Sequence, residues 1–227
     1  MEKFLNQDLP HLRKLSLLLG KPITFIDLET TGMVHEHHFA IIELGLVHIH
    51  PEMVVEKSSL INPRMKIPAH ISEITHIYDY MVQDKKEFSH FSNYVGKVAK
   101  EHILCGYNSK TFDSKGMEKM LKKHNIHDTF DNQLDFRHIF LRCRKNFDEI
   151  PGQSGSLVQA CAHHGIHVDG NAHRAGYDIA ITALLAEKLL EKYGFGILHK
   201  DIEKFQDSHI KNTYYKHIVQ NKIKTIK

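Results

Sequence analysis

The order of the predicted secondary structure elements constrains this chain more than any other feature of its sequence. Three strand-like segments come first, and helices and strands alternate after them. The first segment is rich in β-branched and aromatic residues and lies between Pro22 and a Thr-Thr-Gly turn. This order is typical of an α/β fold in which helices flank a mixed five-stranded sheet. The predicted strands are residues 23–28, 39–49, 52–60, 103–107 and 133–136, and the predicted helices are residues 9–19, 88–100, 114–124, 157–164 and 179–192.

The length of 227 residues predicts one domain with small appendages. We divide the chain into an N-terminal helical extension (1–20), a main domain (21–192) and a basic, helical C-terminal tail (193–227). Residues 192–227 hold eight lysines against three acidic residues, so this end carries +5 while the whole chain carries +3. Such a tail fits a polyanionic partner. Two alternatives stay open: the tail packs on the body through Leu198, Ile202 and Phe205, or it docks a partner protein.

Composition excludes several classes of protein. No stretch approaches the ~20 apolar residues that a membrane span needs, and the charged N-terminus lacks the apolar core of a signal peptide. The three cysteines, Cys105, Cys143 and Cys161, form neither an even set nor a CxxC motif. Reduced thiols explain this best, so we predict a cytoplasmic protein without membrane contact.

Two carboxylates end the first predicted strand. Because side chains alternate along a strand, Asp27 and Glu29 share one face and lie about 7 Å apart. Two such groups on an otherwise apolar strand repel each other unless a cation lies between them. Hard oxygen ligands of this kind suit Mg²⁺ or Mn²⁺. The alternative is a solvated strand end.

Further acidic and histidine side chains follow at intervals. Asp113 comes after the fourth strand, where the alternative is a helix N-cap. His173 and Asp178 open the last predicted helix of the body, and a second pair with the same spacing, His164 and Asp169, ends in a Gly-flanked loop. Asp178 runs directly into an apolar helix that can dock on the sheet, so we favour the His173 pair.

These residues form three motifs that resemble those of the DEDDh 3′→5′ exonucleases, which have a ribonuclease H-like fold. The motifs are Asp27-Leu28-Glu29-Thr30-Thr31-Gly32, Asn108-x3-Phe112-Asp113 and His173-x4-Asp178. The first, with Met33, is similar to the proofreading epsilon branch of bacterial DNA polymerase III. The second motif and Asn171-Ala172-His173 are instead similar to the bacterial exonuclease I branch. Arg174 stands where the tyrosine-type branch would have its tyrosine.

The resemblance implies roles for each of these positions. Asp27, Glu29 and Asp178 would hold one Mg²⁺ or Mn²⁺ ion, Asp27 would help to hold a second, and Asp113 would act through water. His173 would be the general base, which its ordinary pKa near 6.5 permits. The residues implied in substrate binding are Thr30, Thr31, Met33, Asn108, Phe112 and His76.

The sequence therefore predicts a metal-dependent 3′→5′ exonuclease that releases nucleoside monophosphates from single-stranded nucleic acid, with DNA favoured. A DNA polymerase or another replication or repair protein is the further partner expected. Two alternatives remain: an exoribonuclease that trims RNA, and a catalytically idle module that binds nucleic acid or a polymerase.

Overall fold

The structure, a computed structural model, describes residues 8–148, 155–168 and 174–225. The strands are β1 (Ile23–Thr30), β2 (Ile41–Ile49), β3 (Val54–Leu60), β4 (Ile103–Gly106) and β5 (Gln133–Asp135). The α-helices are α1 (Pro10–Leu19), α2 (Ala69–Thr75), α3 (Asp79–Val82), α4 (Ser89–Glu101), α5 (Asp113–Lys123), α6 (Phe136–Cys143), α7 (Leu157–His163), α8 (Ala175–Tyr193), α9 (His199–Ile202) and α10 (Ser208–Thr225). A π-helical turn, Arg144–Asp148, follows α6, and a 3₁₀ turn, Phe195–Leu198, precedes α9.

The five strands form one mixed sheet in the order β3-β2-β1-β4-β5. β1 pairs antiparallel with β2, and β2 pairs antiparallel with β3, whereas the β1–β4 and β4–β5 pairs are parallel. The predicted mixed five-stranded α/β sheet is confirmed. The carboxyl ends of β1, β4 and β5 consequently meet at one edge of the sheet.

Helices cover both faces of this sheet, and alternate residues of β1 point into two different cores. Ile23 and Phe25 belong to a core that includes residues of α1, α6 and α8. Ile26 and Leu28 belong to a second core with residues of α4 and α5. By the same alternation, the side chains of Asp27 and Glu29 point to the face that α8 covers.

Several elements differ from the sequence prediction in their bounds, and two short helices were not predicted. Phe136 is not in β5 but begins α6, because the Asp135 side chain accepts a hydrogen bond from the Arg137 N–H at 3.0 Å and caps a helix there. α8 begins at Ala175, four residues before the predicted start at 179. The short helices α2 and α3 were not predicted, because one or two turns contain too few apolar positions to show a period.

The residues after α8 do not form the single helix that the spacing of Leu198, Ile202 and Phe205 predicts. These three side chains are buried in the same core as α8, which corresponds to the packing alternative. The Lys21 ammonium lies 2.9 Å from an Asp207 carboxylate oxygen and joins the segment to the start of β1. The division of the chain at residues 20 and 192 stays a prediction. Among the described residues, no helix is both long enough and apolar enough to cross a membrane.

Candidate active site

Three carboxylates from two elements converge at the edge of the sheet. Asp27 and Glu29 come from the end of β1, and Asp178 comes from the first turn of α8. One carboxylate oxygen from each residue lies within 4.8 Å of those from the other two. The structure therefore brings together three of the four predicted metal ligands within the span of a single cation site.

A glycine on the neighbouring strand allows α8 to come this close. Gly45 of β2 is the register partner of Asp27. A Cβ atom at Gly45 would lie only 2.7 Å from the main-chain oxygen of Ala175, the first residue of α8. Any larger residue would push the first turn of α8 away from the sheet, and Asp178 with it.

The fourth predicted ligand, Asp113, lies at the start of α5 and is buried. Its Oδ1 atom accepts a hydrogen bond from the main-chain N–H of Leu28 at 3.1 Å, between the two acidic residues of β1. Asp113 is thus fixed beside the cluster but is not part of the group that lies within 4.8 Å. This position is compatible with the predicted role through water.

The cluster is electrostatically costly in the absence of a cation. Burial raises the pKa of Asp27 well above its usual range, and the Asp113 and Glu29 charges raise it further. Burial likewise raises the pKa of Glu29 to about 8, with smaller contributions from Asp178 and Glu43, while Arg174 lowers it. Burial also raises the pKa of Asp113 to about 7. Converging oxygen ligands whose charges need compensation are the donor set that Mg²⁺ or Mn²⁺ prefers, so these residues fit such an ion.

The two threonines of the first motif already bond the main chain. Thr30 Oγ1 donates to the main-chain oxygen of Gly32 at 2.8 Å. Thr31 Oγ1 donates to the His38 oxygen at 2.9 Å and accepts from the Ala40 N–H at 2.9 Å. The hydroxyl groups of both threonines therefore stabilise the conformation of the loop between β1 and β2. Their predicted contact with a nucleotide stays a prediction.

The other predicted substrate residues lie on loops and helix ends. Asn108 follows β4 with a left-handed φ of 63°, and its N–H donates to Asp135 Oδ1 at 3.0 Å. Phe112 is half-buried just before α5, at the same edge of the sheet as Glu29. Met33 and His76 are exposed. Their roles in substrate binding stay predictions.

The predicted general base, His173, and Asp169 of the competing pair lie outside the described residues. His164, the histidine of the competing pair, contacts the rings of Phe140 and Tyr193 at centroid distances of 6.0 and 6.2 Å. Tyr193 is the last residue of α8, roughly 20 Å along the helix axis from Asp178. His164 is therefore distant from the acidic cluster.

Sequence reasoning missed one acidic residue and the cation that it binds. Glu43 of β2 is the register partner of Glu29, and its side chain forms an ion pair with Arg174 at 3.1 Å. Glu43 is only 2% exposed. The signal was present in the sequence as a single carboxylate within an otherwise apolar strand, FAIIELGLVHI.

The sequence of this chain is similar to a known protein family and to individual exonucleases. A sequence model of the RNase_T family, described as Exonuclease, matches residues 24–186. The 3′-5′ exonuclease DinG of Staphylococcus epidermidis is 28% identical over 181 residues, which is 79% of this chain and 19% of that protein. The chain thus spans about one fifth of the length of this relative.

Solved structures provide a separate comparison. Exonuclease X in complex with 5′ overhanging duplex DNA matches with a TM-score of 0.55 and 22% identity, over 76% of this chain and 93% of that one. The zinc-bound E. coli ExoI–ssDNA complex matches with a TM-score of 0.65 and 17% identity, over 77% of this chain and 41% of that one. These matches agree with the predicted ribonuclease H-like fold.

Proposed function

Since the chain belongs to the RNase_T exonuclease family, we propose that it is a metal-dependent 3′→5′ exonuclease acting on single-stranded nucleic acid, with DNA as the preferred substrate. The observation that carries this proposal is the convergence of Asp27, Glu29 and Asp178 at the carboxyl edge of the sheet. A protein that only bound nucleic acid would gain nothing from this cluster, because carboxylates repel phosphates.

We assign the carboxylates to two Mg²⁺ or Mn²⁺ ions. Asp27, Glu29 and Asp178 hold one ion, Asp27 helps to hold the second, and Asp113 acts through water. When bound, two divalent ions activate the attacking water and stabilise the leaving 3′ oxygen of a phosphodiester. The raised pKa values of Asp27 and Glu29 support this assignment, because a divalent cation offsets the charge that burial penalises.

His173 is the proposed proton acceptor. In the sequence it directly precedes Arg174, whose side chain is bonded to Glu43, and Arg174 directly precedes α8. A neutral imidazole there would take the proton of the attacking water. The product would be a nucleoside 5′-monophosphate and a strand that is shorter by one nucleotide.

Residues around the cluster would hold the 3′ end of the strand. Phe112 offers a half-buried ring for stacking on the penultimate base, a contact worth about 1–3 kcal/mol. Asn108 is exposed next to it and can donate to phosphate or sugar oxygens. Thr30, Thr31 and Met33 would seat the terminal nucleotide, and His76 is a further contact.

The proposal also covers the type of nucleic acid, a partner protein and the cellular location. The Exonuclease X and ExoI structures are complexes with DNA, which supports DNA as the substrate. Another similar structure, a 3′-exonuclease described with a histone mRNA stem-loop, keeps RNA as the alternative. A DNA polymerase or another replication or repair partner stays a prediction. The three cysteines are buried and form no disulfide, which fits the predicted cytoplasmic location.

Digestion of single-stranded oligomers labelled at the 3′ terminal nucleotide tests the proposal. Matched DNA and RNA of one sequence are incubated with the protein in Mg²⁺ or EDTA, and products are separated by chromatography. We expect labelled nucleoside monophosphate at the earliest time points, only in Mg²⁺, and faster from DNA. Label that first appears in oligonucleotides would refute the 3′→5′ polarity, and faster release from RNA would favour the RNA-trimming alternative.

A further inference from the structure

We propose that Glu43 is a positioning residue that binds the Arg174 guanidinium, keeps it off the metal ligand Glu29 and fixes the first turn of α8. This inference rests on the proposed metal site. In this account an ion pair between the buried Glu43 and the half-buried Arg174, rather than further ligands, keeps that site open for a cation.

The side chain of Glu43 contacts β3, α8 and the residue before α8. From α8 and the residue before it, Arg174 Nε and Nη2 donate to the two carboxylate oxygens at 3.1 Å each, and the Ala175 N–H donates at 3.1 Å. From β3, Ser58 Oγ donates at 3.1 Å. When a planar guanidinium donates two parallel hydrogen bonds to a carboxylate, the relative orientation of the two groups is well defined.

The pair is linked to the metal ligand on α8 through the main chain. The carbonyl of Arg174 accepts hydrogen bonds from the N–H groups of Tyr177 and Asp178 at 2.9 Å each. Arg174 is therefore bonded to Glu43 through its side chain and to the first turn of α8 through its backbone. Displacing its side chain would also displace the start of the helix that carries Asp178.

The charges around Arg174 explain why its ion pair with Glu43 should affect metal binding. Glu29 and Glu43 are register partners on adjacent strands, so their carboxylates lie on the same face of the sheet. Glu43 holds the guanidinium through two hydrogen bonds, and Glu29 is the residue paired with Glu43 on β1. If Glu43 lost its charge, Arg174 would turn to Glu29 and compete with a divalent cation for that carboxylate.

Metal binding can be measured without cleavage, from the rise in melting temperature that Mn²⁺ produces in the full-length protein. We expect E43Q to need on the order of tenfold more Mn²⁺ for half of the stabilisation, as is common when a residue supporting metal ligands is changed. R174K keeps the positive charge but cannot donate two parallel hydrogen bonds to Glu43. The Mn²⁺ concentration that gives half of the stabilisation should therefore also rise. In the double variant E43Q/R174M the competing cation is gone, so the Mn²⁺ requirement should fall below that of E43Q. It should stay above that of the wild type, because the bonds from the Arg174 side chain that help to fix the first turn of α8 are lost as well.

The matched control is E87Q, which makes the same change in an exposed Glu–Arg pair, Glu87 with Arg64 at 2.6 Å. Its Mn²⁺ requirement should not change. The inference is overturned if E43Q and R174K bind Mn²⁺ as the wild type does, or if the double variant binds it as weakly as E43Q. Should E43Q fail to fold, R174K still decides the question, because it leaves Glu43 in place. A wild type that Mn²⁺ does not stabilise would instead refute the proposed metal site itself.

Discussion

Glu29 and Glu43 are register partners across β1 and β2, and their two carboxylates share one face of the sheet. Glu43 is bonded to Arg174, whereas Glu29 lies within the cluster formed with Asp27 and Asp178. Two like charges side by side are tolerated here because each has a different cation available. Arg174 compensates the charge of Glu43, and we propose that a divalent metal ion compensates the charge of Glu29.

The stability of the metal-free protein should depend on pH in a defined direction. Burial raises the pKa of Glu29 from its ordinary value of 4.5 to about 8, so the folded protein keeps a proton that the unfolded chain releases. The contribution of Glu29 to the free energy of unfolding should therefore fall as pH rises from 4.5 toward 8, and then level off. Thermal melts across this range, in chelator, measure the fall. Glu29→Gln should reduce it, whereas Glu73→Gln at an exposed position should not. Equal slopes for the wild type and Glu29→Gln would contradict the electrostatic account of the cluster.

Gly45→Ala should disturb the approach of α8 to the sheet. The added Cβ would lie 2.7 Å from the Ala175 oxygen, which we expect to cost about 1–3 kcal/mol in the free energy of unfolding. Displacing Asp178 by even 1 Å should reduce kcat by roughly 10²-fold. Gly196→Ala is the matched control, because a Cβ there would meet no atom within 4 Å. If Gly45→Ala kept wild-type kcat, the close contact would not be what positions Asp178.

The two His–Asp pairs predict different outcomes for two alanine variants. If His173 is the general base, His173→Ala should reduce kcat by roughly 10²–10⁴. His164 packs against Phe140 and Tyr193, away from the cluster, so His164→Ala should leave kcat unchanged. Single-turnover rates at saturating substrate measure the chemical step. The reverse ranking would mean that the other pair supplies the base.

The C-terminal segment should contribute to stability through its apolar residues. Phe205 is buried in the same core as α8, whereas the adjacent Lys204 is exposed. Denaturant melts should show a loss of about 3–5 kcal/mol for Phe205→Ala and less than about 0.5 kcal/mol for Lys204→Gln. A Phe205→Ala variant as stable as the wild type would show that the segment is not part of the folded core. Whether its lysines also contact nucleic acid is a separate question, which the salt dependence of strand binding by Lys→Gln variants would answer.

The sequence could predict those features that depend on local pattern. The alternation of β1 placed Asp27 and Glu29 on one face, and the apolar run after Asp178 indicated a helix docked on the sheet. Features that depend on contacts between distant segments could not be predicted. α8 begins at Ala175 because Glu43, 132 residues earlier, accepts its N–H. The tail breaks into separate helices after Gly194, whose φ of 72° is disfavoured for other residues.

The cleavage of a 5′-labelled single-stranded DNA oligomer by the wild type and by Asp178→Asn, in Mg²⁺ and in EDTA, tests the central claim most directly. Asp178→Asn removes one ligand charge at nearly constant volume, and its melting temperature in chelator should equal or exceed that of the wild type, because carboxylate repulsion is relieved. We predict that the wild type in Mg²⁺ produces a ladder that shortens one nucleotide at a time from the 3′ end, and that no ladder forms in EDTA or with the folded variant. A near-normal ladder from Asp178→Asn, or wild-type cleavage that EDTA does not stop, would contradict the assignment of this acidic cluster as a metal-dependent exonuclease site.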